Sequence, residues 1–288
     1  MSVRAPVQPP HRRLLPQALR PARRAVSPRE KFSRPEREAV YRAIFERRDV
    51  RRNFLPLPIP DDVLARLLTA AHHAGSVGFM QPWDFVVVRK GATKRKVKAL
   101  FNEVNGKAAT RYTGARADLY RSLKLEGIEE APVNLCVTCS RQRGGRHVLG
   151  RSTVRETDLY STCCAIQNLW LAARAEGIGV GWVSILDHAA LKRVLGIPKP
   201  VKVLAYLCLG YVSDFSAKPD LELAGWRARL PVDRLIHYEA WGNRREEDRR
   251  EGKAHHQGIH QDRRRGSRET RDSSAGRRTA RPVGVNDA

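Results

Sequence analysis

Residues 47–54 read "RRDVRRNF": Arg47, Arg48, Arg51 and Arg52 crowd a single carboxylate, Asp49, with Val50 between the two pairs. Guanidinium groups offer planar, paired donors and keep their charge at any physiological pH. A convergent set of them therefore suits a phosphate or another dianion. If the preceding helix runs on through this stretch, the four arginines fall within about one and a half helical turns. Far downstream, "GWRARLPVDRL" supplies Arg227 and Arg229, and two remote basic clusters can meet at one anion. Between them lie two glycine-bearing stretches, "HHAGSVGFMQPWDF" and "GVGWVSI", where backbone N–H groups can approach a planar ligand closely. Each basic cluster, taken alone, also reads as a solvated face.

The elements that must position these residues alternate along the chain. "PEREAVYRAIFERR" spaces Val40, Tyr41, Ile44 and Phe45 as one helical stripe. "IPDDVLARLLTAAHHAG" opens with Pro and Asp, ends at Gly75, and carries Leu64, Leu67, Leu68 and Ala71 on one side. His72 and His73 at its end suit the helix C-terminus. "WDFVVVRK", "NLCVTC", "VGWVSI" and "VKVLAYLCLGYV" read as strands; "ATKRKVKALFNEVNG" and "DHAALKRVLGI" read as helices. "TDLYSTCCAIQNLWLAARAEGIG" is apolar nearly all round from residue 160 to 173, which suits a helix buried on several sides or at a subunit interface. This order predicts an α+β fold in which helices cover a mixed central sheet.

The 288-residue chain has a formal net charge of +24, and more than half of that excess lies at its ends. Residues 1–35 carry 9 basic and 1 acidic side chain, and residues 243–288 carry 13 basic and 8 acidic. Both spans are too poor in apolar residues to offset the entropy of ordering, so disordered basic tails are expected around a folded segment, 36–242. A basic nucleic-acid-binding protein is the rival class, but no stacking-aromatic module or helix-turn-helix signal accompanies the charge, so nucleic acid is an unlikely partner. No stretch approaches the roughly 18 apolar residues of a membrane span. The five cysteines are odd in number and lie in apolar surroundings, which argues for a reducing, cytoplasmic setting. Cys136 and Cys139 are spaced as CxxC, but on a strand they face opposite sides, so no metal site is expected.

Taken in order, "RRDVR", "SVGFMQPW", "KLEGIEEAPVNL", "GVGWVSI" and "RLPVDRLIHYEAWG" resemble the nitroreductase-like flavoprotein family over about residues 36–242. Asp49 in the first motif points to the branch that consumes reduced FMN with O2, forming 5,6-dimethylbenzimidazole, the lower ligand of cobalamin. General nitroreductases usually carry Ser or a similar residue there. Gly75 departs from the family's usual Pro before the Ser. The resemblance implies a nitroreductase-like fold completed as a homodimer, with FMN at the interface and a flavin reductase or another source of FMNH2 as partner. It implies flavin contacts from Arg47, Arg48, Asp49, Val50, Arg51, Ser76, Gly78, Gln81, Trp182, Ser184, Arg227 and Arg229. Fragmenting the flavin ring requires several proton transfers, and Asp49 and Ser184 are the residues placed at that chemistry. Burial would raise the Asp49 pKa and the arginines would lower it. Structural alternatives stand beside these roles: an ion pair orienting Arg47 or Arg51 for Asp49, a strand-end cap on the helix starting at Asp187 for Ser184, and a turn hydrogen bond for Ser76 and Gln81. Trp182 and Phe79 read as packing residues able to wall the flavin. The rival activity within the family is an NAD(P)H-dependent FMN nitroreductase.

Overall fold

The computed structural model describes residues 31–244, and the expected tails lie outside them except at their inner ends. The chain divides into two compact units, the first ending at Asp220 and the second starting at Leu221; the expected 36–242 segment spans that division.

In the first unit, α1 (Arg34–Glu46) begins inside the span expected to be a tail. Ser33 N donates to Glu36 Oε2 at 2.7 Å, which satisfies one of the open N–H groups of the first turn. No α1 residue is buried, and Val40, Tyr41, Ile44 and Phe45 are all exposed. Next come α2 (Asp61–His72), a 3₁₀ turn (Val77–Phe79), β1 (Trp83–Val88), α3 (Gly91–Ala109), α4 (Gly114–Ser122) and β2 (Val133–Cys139). α5 (Thr157–Ala175), β3 (Ile178–Trp182), α6 (His188–Leu195) and β4 (Lys202–Tyr211) follow; α7 (Asp220–Leu223) starts at the division, and a 3₁₀ turn (Val232–Leu235) belongs to the second unit. α4 has no counterpart in the expected elements, because "GARADLYRS" buries only Ala117 and Tyr120. β3 starts two residues earlier than expected.

The four strands lie in the order β1-β2-β4-β3, and every pairing between them is antiparallel. The expected mixed sheet is thus corrected: among the described residues, parallel pairing is confined to one bridge, Asp49 to Val180. β1 and β2 run antiparallel, as do β3 and β4; the α5 excursion brings β3 back in the direction of β2, with β4 between them, and the segment before α2 lies along the free side of β3.

Strand alternation gives the sheet two apolar faces. Val133, Leu135, Val137, Ala205, Leu207 and Leu209 pack with Leu64 and Leu67 of α2 and Ile166 and Leu169 of α5. Cys136, Val203, Tyr206 and Cys208 face the other way, toward Val97 and Phe101 of α3 and Leu191 of α6. α6 is held at both ends: Asp187 accepts from Ala190 N at 2.8 Å, and Gly196 closes the helix at φ 66°. α5 is apolar almost throughout but not enclosed. Tyr160, Cys163 and Cys164 lie on an exposed face.

Candidate functional site

The helix over the first arginine motif stops at Glu46, so residues 47–52 are not the helical cluster that spacing suggests. They cross beside β3 in extended form, with Val50 N donating to Val180 O at 2.9 Å. Two glycines permit this crossing. A Cβ at Gly181 would stand 1.9 Å from Val50 O, and one at Gly179 would stand 2.9 Å from Val50 Cγ2. The glycines of "GVGW" therefore make room for this chain segment, not for a planar ligand. Trp170 of α5 braces the crossing by donating its indole N–H to Arg48 O at 3.1 Å.

In an extended segment neighbours face opposite ways, so Arg47, Asp49 and Arg51 share one side and Arg48, Val50 and Arg52 the other. On the first side, Trp182 N donates to Asp49 Oδ1 at 2.9 Å, and Arg51 Nη2 forms a short ion pair with Asp49 Oδ2. Arg47 lies 5.0 Å over the Trp170 ring. The Asp49 carboxyl is held above the ordinary carboxylate range: burial pushes it up more strongly than Arg51, the Trp182 N–H and Arg47 pull it down. Its side chain still keeps 31 % of its surface open, against 11 % for Arg51, so a ligand can reach it. The buried Nε of Arg51 has no hydrogen-bond partner among the described residues. A buried guanidinium N–H without a partner is costly, and an anion at this point would satisfy it.

The second side is committed to the fold. Arg48 donates to Phe45 O and Arg47 O at the end of α1 and to Ser216 O and Ala217 O. Arg48, expected at the flavin, thus has its guanidinium bound to four carbonyls of its own chain. Val50 is buried at 7 % exposure, and Arg52 is exposed, with Nε 3.4 Å from Asp220.

Trp182 is half-buried, 6.4 Å from Trp170, at the end of β3. Ser184 follows it, exposed; Asp187 and not Ser184 caps α6. The Ser76–Gln81 turn is anchored elsewhere, with Val77 N donating to Ser161 Oγ at 3.2 Å. Ser161 precedes Trp170 by nine residues on α5, roughly 14 Å along the helix. Within one chain, then, this turn and the Asp49 cluster sit at different stations of the same helix. Ser76 Oγ accepts from Gln81 N at 3.1 Å, the turn hydrogen bond that was its structural alternative. Gly78 (φ 58°) abuts the β2–α5 loop: a Cβ there would stand 2.6 Å from Val148 Cγ1. Phe79 and Gln81 also hold positive φ, 51° and 46°. Such values strain residues other than glycine, and they mark this turn as a built feature. Phe79, expected to pack, is 82 % exposed. His73 Nδ1 lies 2.9 Å from Thr69 O at the end of α2, as expected there, while His72 accepts from the Trp83 indole at 3.2 Å. Arg227 and Arg229 belong to the second unit, where both are exposed.

Sequence reasoning missed Trp170, which serves both Arg47 and Arg48, and Arg143. The latter donates to Gln81 O and Trp83 O and clasps Asp84 at 2.7 and 2.9 Å. A tryptophan late in an apolar helix and one more arginine in a basic loop carry no local signal of these roles.

The nitroreductase family profile matches residues 44–211. The chain belongs to the nitroreductase family. Its matched span begins just before the Asp49 crossing and ends with β4, so the sheet, the enclosing helices and the crossing all fall within it. The 5,6-dimethylbenzimidazole synthase of Rhodospirillum rubrum is 44 % identical over 190 residues, covering 66 % of this chain and 90 % of that protein. The enzyme of the same name from Rhodobacter capsulatus is 40 % identical over 202 residues, covering 70 % and 97 %. An iodotyrosine deiodinase bound to FMN and 3-iodo-L-tyrosine superposes with a TM-score of 0.57 at 20 % identity, over 70 % of this chain and all of that one. A BluB-like flavoprotein from Clostridium difficile superposes with a TM-score of 0.53 at 21 % identity, over 70 % and 99 %. These likenesses establish the expected α+β nitroreductase fold.

Proposed function

We propose that this protein converts reduced FMN and O2 to 5,6-dimethylbenzimidazole, the lower ligand of cobalamin. The observation that carries this is Asp49: a carboxyl raised by burial, reachable from outside, and held between a backbone N–H and an arginine. It stands in a chain whose relatives at 40–44 % identity bear that enzyme's name.

FMN is the substrate in this reading, and it supplies both the electrons for O2 and the ring that becomes the product. The chain's own residues fit it. Arg51, with its unpartnered buried Nε, and Arg47, stacked on Trp170, offer guanidinium donors to an anionic group. Burial raises the Asp49 pKa, which suits the carboxyl to give and take a proton, and the Trp182 N–H keeps it oriented. Trp182 walls the site, and the exposed Ser184 hydroxyl can donate to or accept from the ligand's edge. Val50 shapes the crossing, and Arg48 anchors it.

A second copy of the chain completes the site in this reading. Ser76, Gly78 and Gln81 stand apart from Asp49 within one chain, and the exposed apolar residues of α1 and α5 suit a homodimer interface of about 2,000 Å2 or more. Arg227 and Arg229 are further candidates for the phosphate. FMNH2 would come from a flavin reductase or another donor. Among the described residues no helix is long and apolar enough to cross a membrane.

The test is to incubate the full chain with FMNH2 and air and look for dimethylbenzimidazole by mass spectrometry. In parallel, the chain is given NADPH and a nitroaromatic. Product in the first mixture supports the proposal; turnover confined to the second assigns an NAD(P)H-dependent nitroreductase instead.

A further inference from the structure

The loop between β2 and α5 holds a second concentration of arginine that the reading above leaves unused. It walls a cavity of about 990 Å3, lined by Arg141, Arg146, His147, Arg151 and Arg155 and by no carboxylate. The frame is fixed from beneath. Asp158, fully buried at the start of α5, accepts from Arg141 Nε at 2.9 Å and from Arg151 Nη2 at 2.7 Å. Arg155 O accepts from Arg141 Nη2 at 3.0 Å, and Arg141 O accepts from Arg151 Nη1 at 2.6 Å. One carboxylate thus serves two of the four arginines. Arg146 and Arg155 are exposed and form no ion pair or side-chain hydrogen bond among the described residues.

We propose that this cavity binds a phosphate monoester dianion. Two guanidinium groups held rigidly by a buried carboxylate, with two more left free, form a ready cradle for phosphate oxygens, and the volume accommodates a nucleotide-sized molecule. The loop also grips the turn that carries Ser76 and Gln81. A Cβ at Gly150 would stand 3.0 Å from Val77 Cγ1, and one at Gly144 would stand 3.3 Å from Met80 Cβ. On the proposed function, which this step extends, two phosphate monoesters meet the protein. One is FMN. The other is the sugar remnant, which must keep the phosphate because dimethylbenzimidazole has none.

The probe is inorganic phosphate, titrated into the full chain at low salt by calorimetry. Arg146→Ala/Arg155→Ala is compared with Arg95→Ala/Lys96→Ala, which removes equal charge from exposed positions of α3. We expect phosphate affinity to fall roughly tenfold or more in the first variant, the scale of losing charge-assisted hydrogen bonds, and to hold in the second. Unchanged affinity in the first variant, or an equal fall in both, overturns the proposal. Competition then separates the sources: FMN and a short polyol phosphate displacing inorganic phosphate alike points to the remnant, and displacement by FMN alone points to the nucleotide. Displacement by riboflavin, which lacks the phosphate, overturns the assignment. The phosphate titration does not depend on flavin turnover, so its failure and that of the synthase activity are told apart.

Discussion

Residues 47–52 carry four arginines in six positions, and residues 141–155 carry five in fifteen. By composition both are anion sites or solvated faces, and the structure separates them by what each guanidinium is already bound to. In the first segment the extended crossing sorts side chains by parity. Arg48 is consumed by four carbonyls, while Arg47 and Arg51 surround Asp49. In the second there is no strand to do the sorting, and carboxylates do it: Asp158 takes Arg141 and Arg151, Asp84 takes Arg143, and Arg146 and Arg155 remain. The first segment surrounds a carboxyl whose pKa burial raises; the second surrounds a cavity lined by no carboxylate. On the proposed roles, the first segment joins a titratable carboxyl to guanidinium donors, and the second offers guanidinium groups alone.

The largest effect is expected from removing the crossing itself. Gly181→Val places branched carbon where Val50 O already stands 1.9 Å from the Cβ position, so residues 47–51 must leave β3. Over-packing of this kind costs on the order of 3 kcal/mol, and product formation should vanish together with the Asp49–Trp182 hydrogen bond. Gly106→Ala in α3 is the control: no atom lies within 4 Å of its Cβ position, and helix propensity should raise stability by about 0.5–1 kcal/mol. Thermal unfolding and product yield on the two proteins measure this. A Gly181→Val protein with wild-type yield would dissolve the distinction between the segments.

Asp49→Asn comes next, and it separates proton handling from arginine orientation. Product per FMNH2 consumed should fall by roughly 10²-fold, the scale of a lost general acid or base, while FMN affinity stays near that of the parent. The pH profile carries a sign. Burial raises the folded pKa of Asp49, so its proton is kept to higher pH than on an exposed aspartate. Yield should fall as pH rises through that raised value, and this limb should be absent in the Asn variant. Folding linkage runs the same way: this group's contribution to stability is greatest at low pH and declines as pH rises toward and through its folded pKa. If Asp49 only orients arginines, the Asn variant will instead lose affinity and keep its yield.

These particulars also show what was legible beforehand. The order of helices and strands follows from periodicity, and Asp49 and the arginines stand out by type alone. The end of α1 was hidden, because "FERRDVRR" offers neither Gly nor Pro as a stop. What ends the helix is Val50 fitting against Gly179 and Gly181, some 130 residues away. The committed role of Arg48 was hidden for the same reason, since its acceptors Ser216 and Ala217 are remote. Which influence wins on the Asp49 pKa depends on burial, a tertiary property that composition does not carry.

A smaller effect separates Arg51 from Arg48. Arg51→Ala removes a nearly buried guanidinium and should weaken FMN binding by about 10- to 100-fold, the range for hydrogen bonds to charged groups. Arg48→Ala should act through stability, by roughly 1–2 kcal/mol, because four carbonyls, two of them in part-buried hydrogen bonds, lose their shared donor. Chemical denaturation alongside flavin titration on both variants distinguishes the two. A stability loss without an affinity loss at Arg51 would move the anion away from it.

The smallest effect is expected at Arg52, next to Arg51 in sequence and on the opposite side of the crossing. Its side chain is 55 % exposed, and its Nε lies 3.4 Å from Asp220 Oδ2, a long contact for an ion pair. Exposed pairs contribute about 0–1 kcal/mol and weaken with salt, so Arg52→Ala should shift unfolding only slightly and leave FMN affinity within about twofold. The same loss of one positive charge at Arg51 is expected to cost about 10- to 100-fold. Long-range electrostatics cannot produce such a gap between adjacent residues; a direct contact on one side of an extended segment can. Measuring affinity for Arg51→Ala and Arg52→Ala at low and at high salt isolates that contact. Equal losses at both positions, shrinking together as salt is added, would mean that the segment acts as a diffuse basic face and that its parity has no functional consequence.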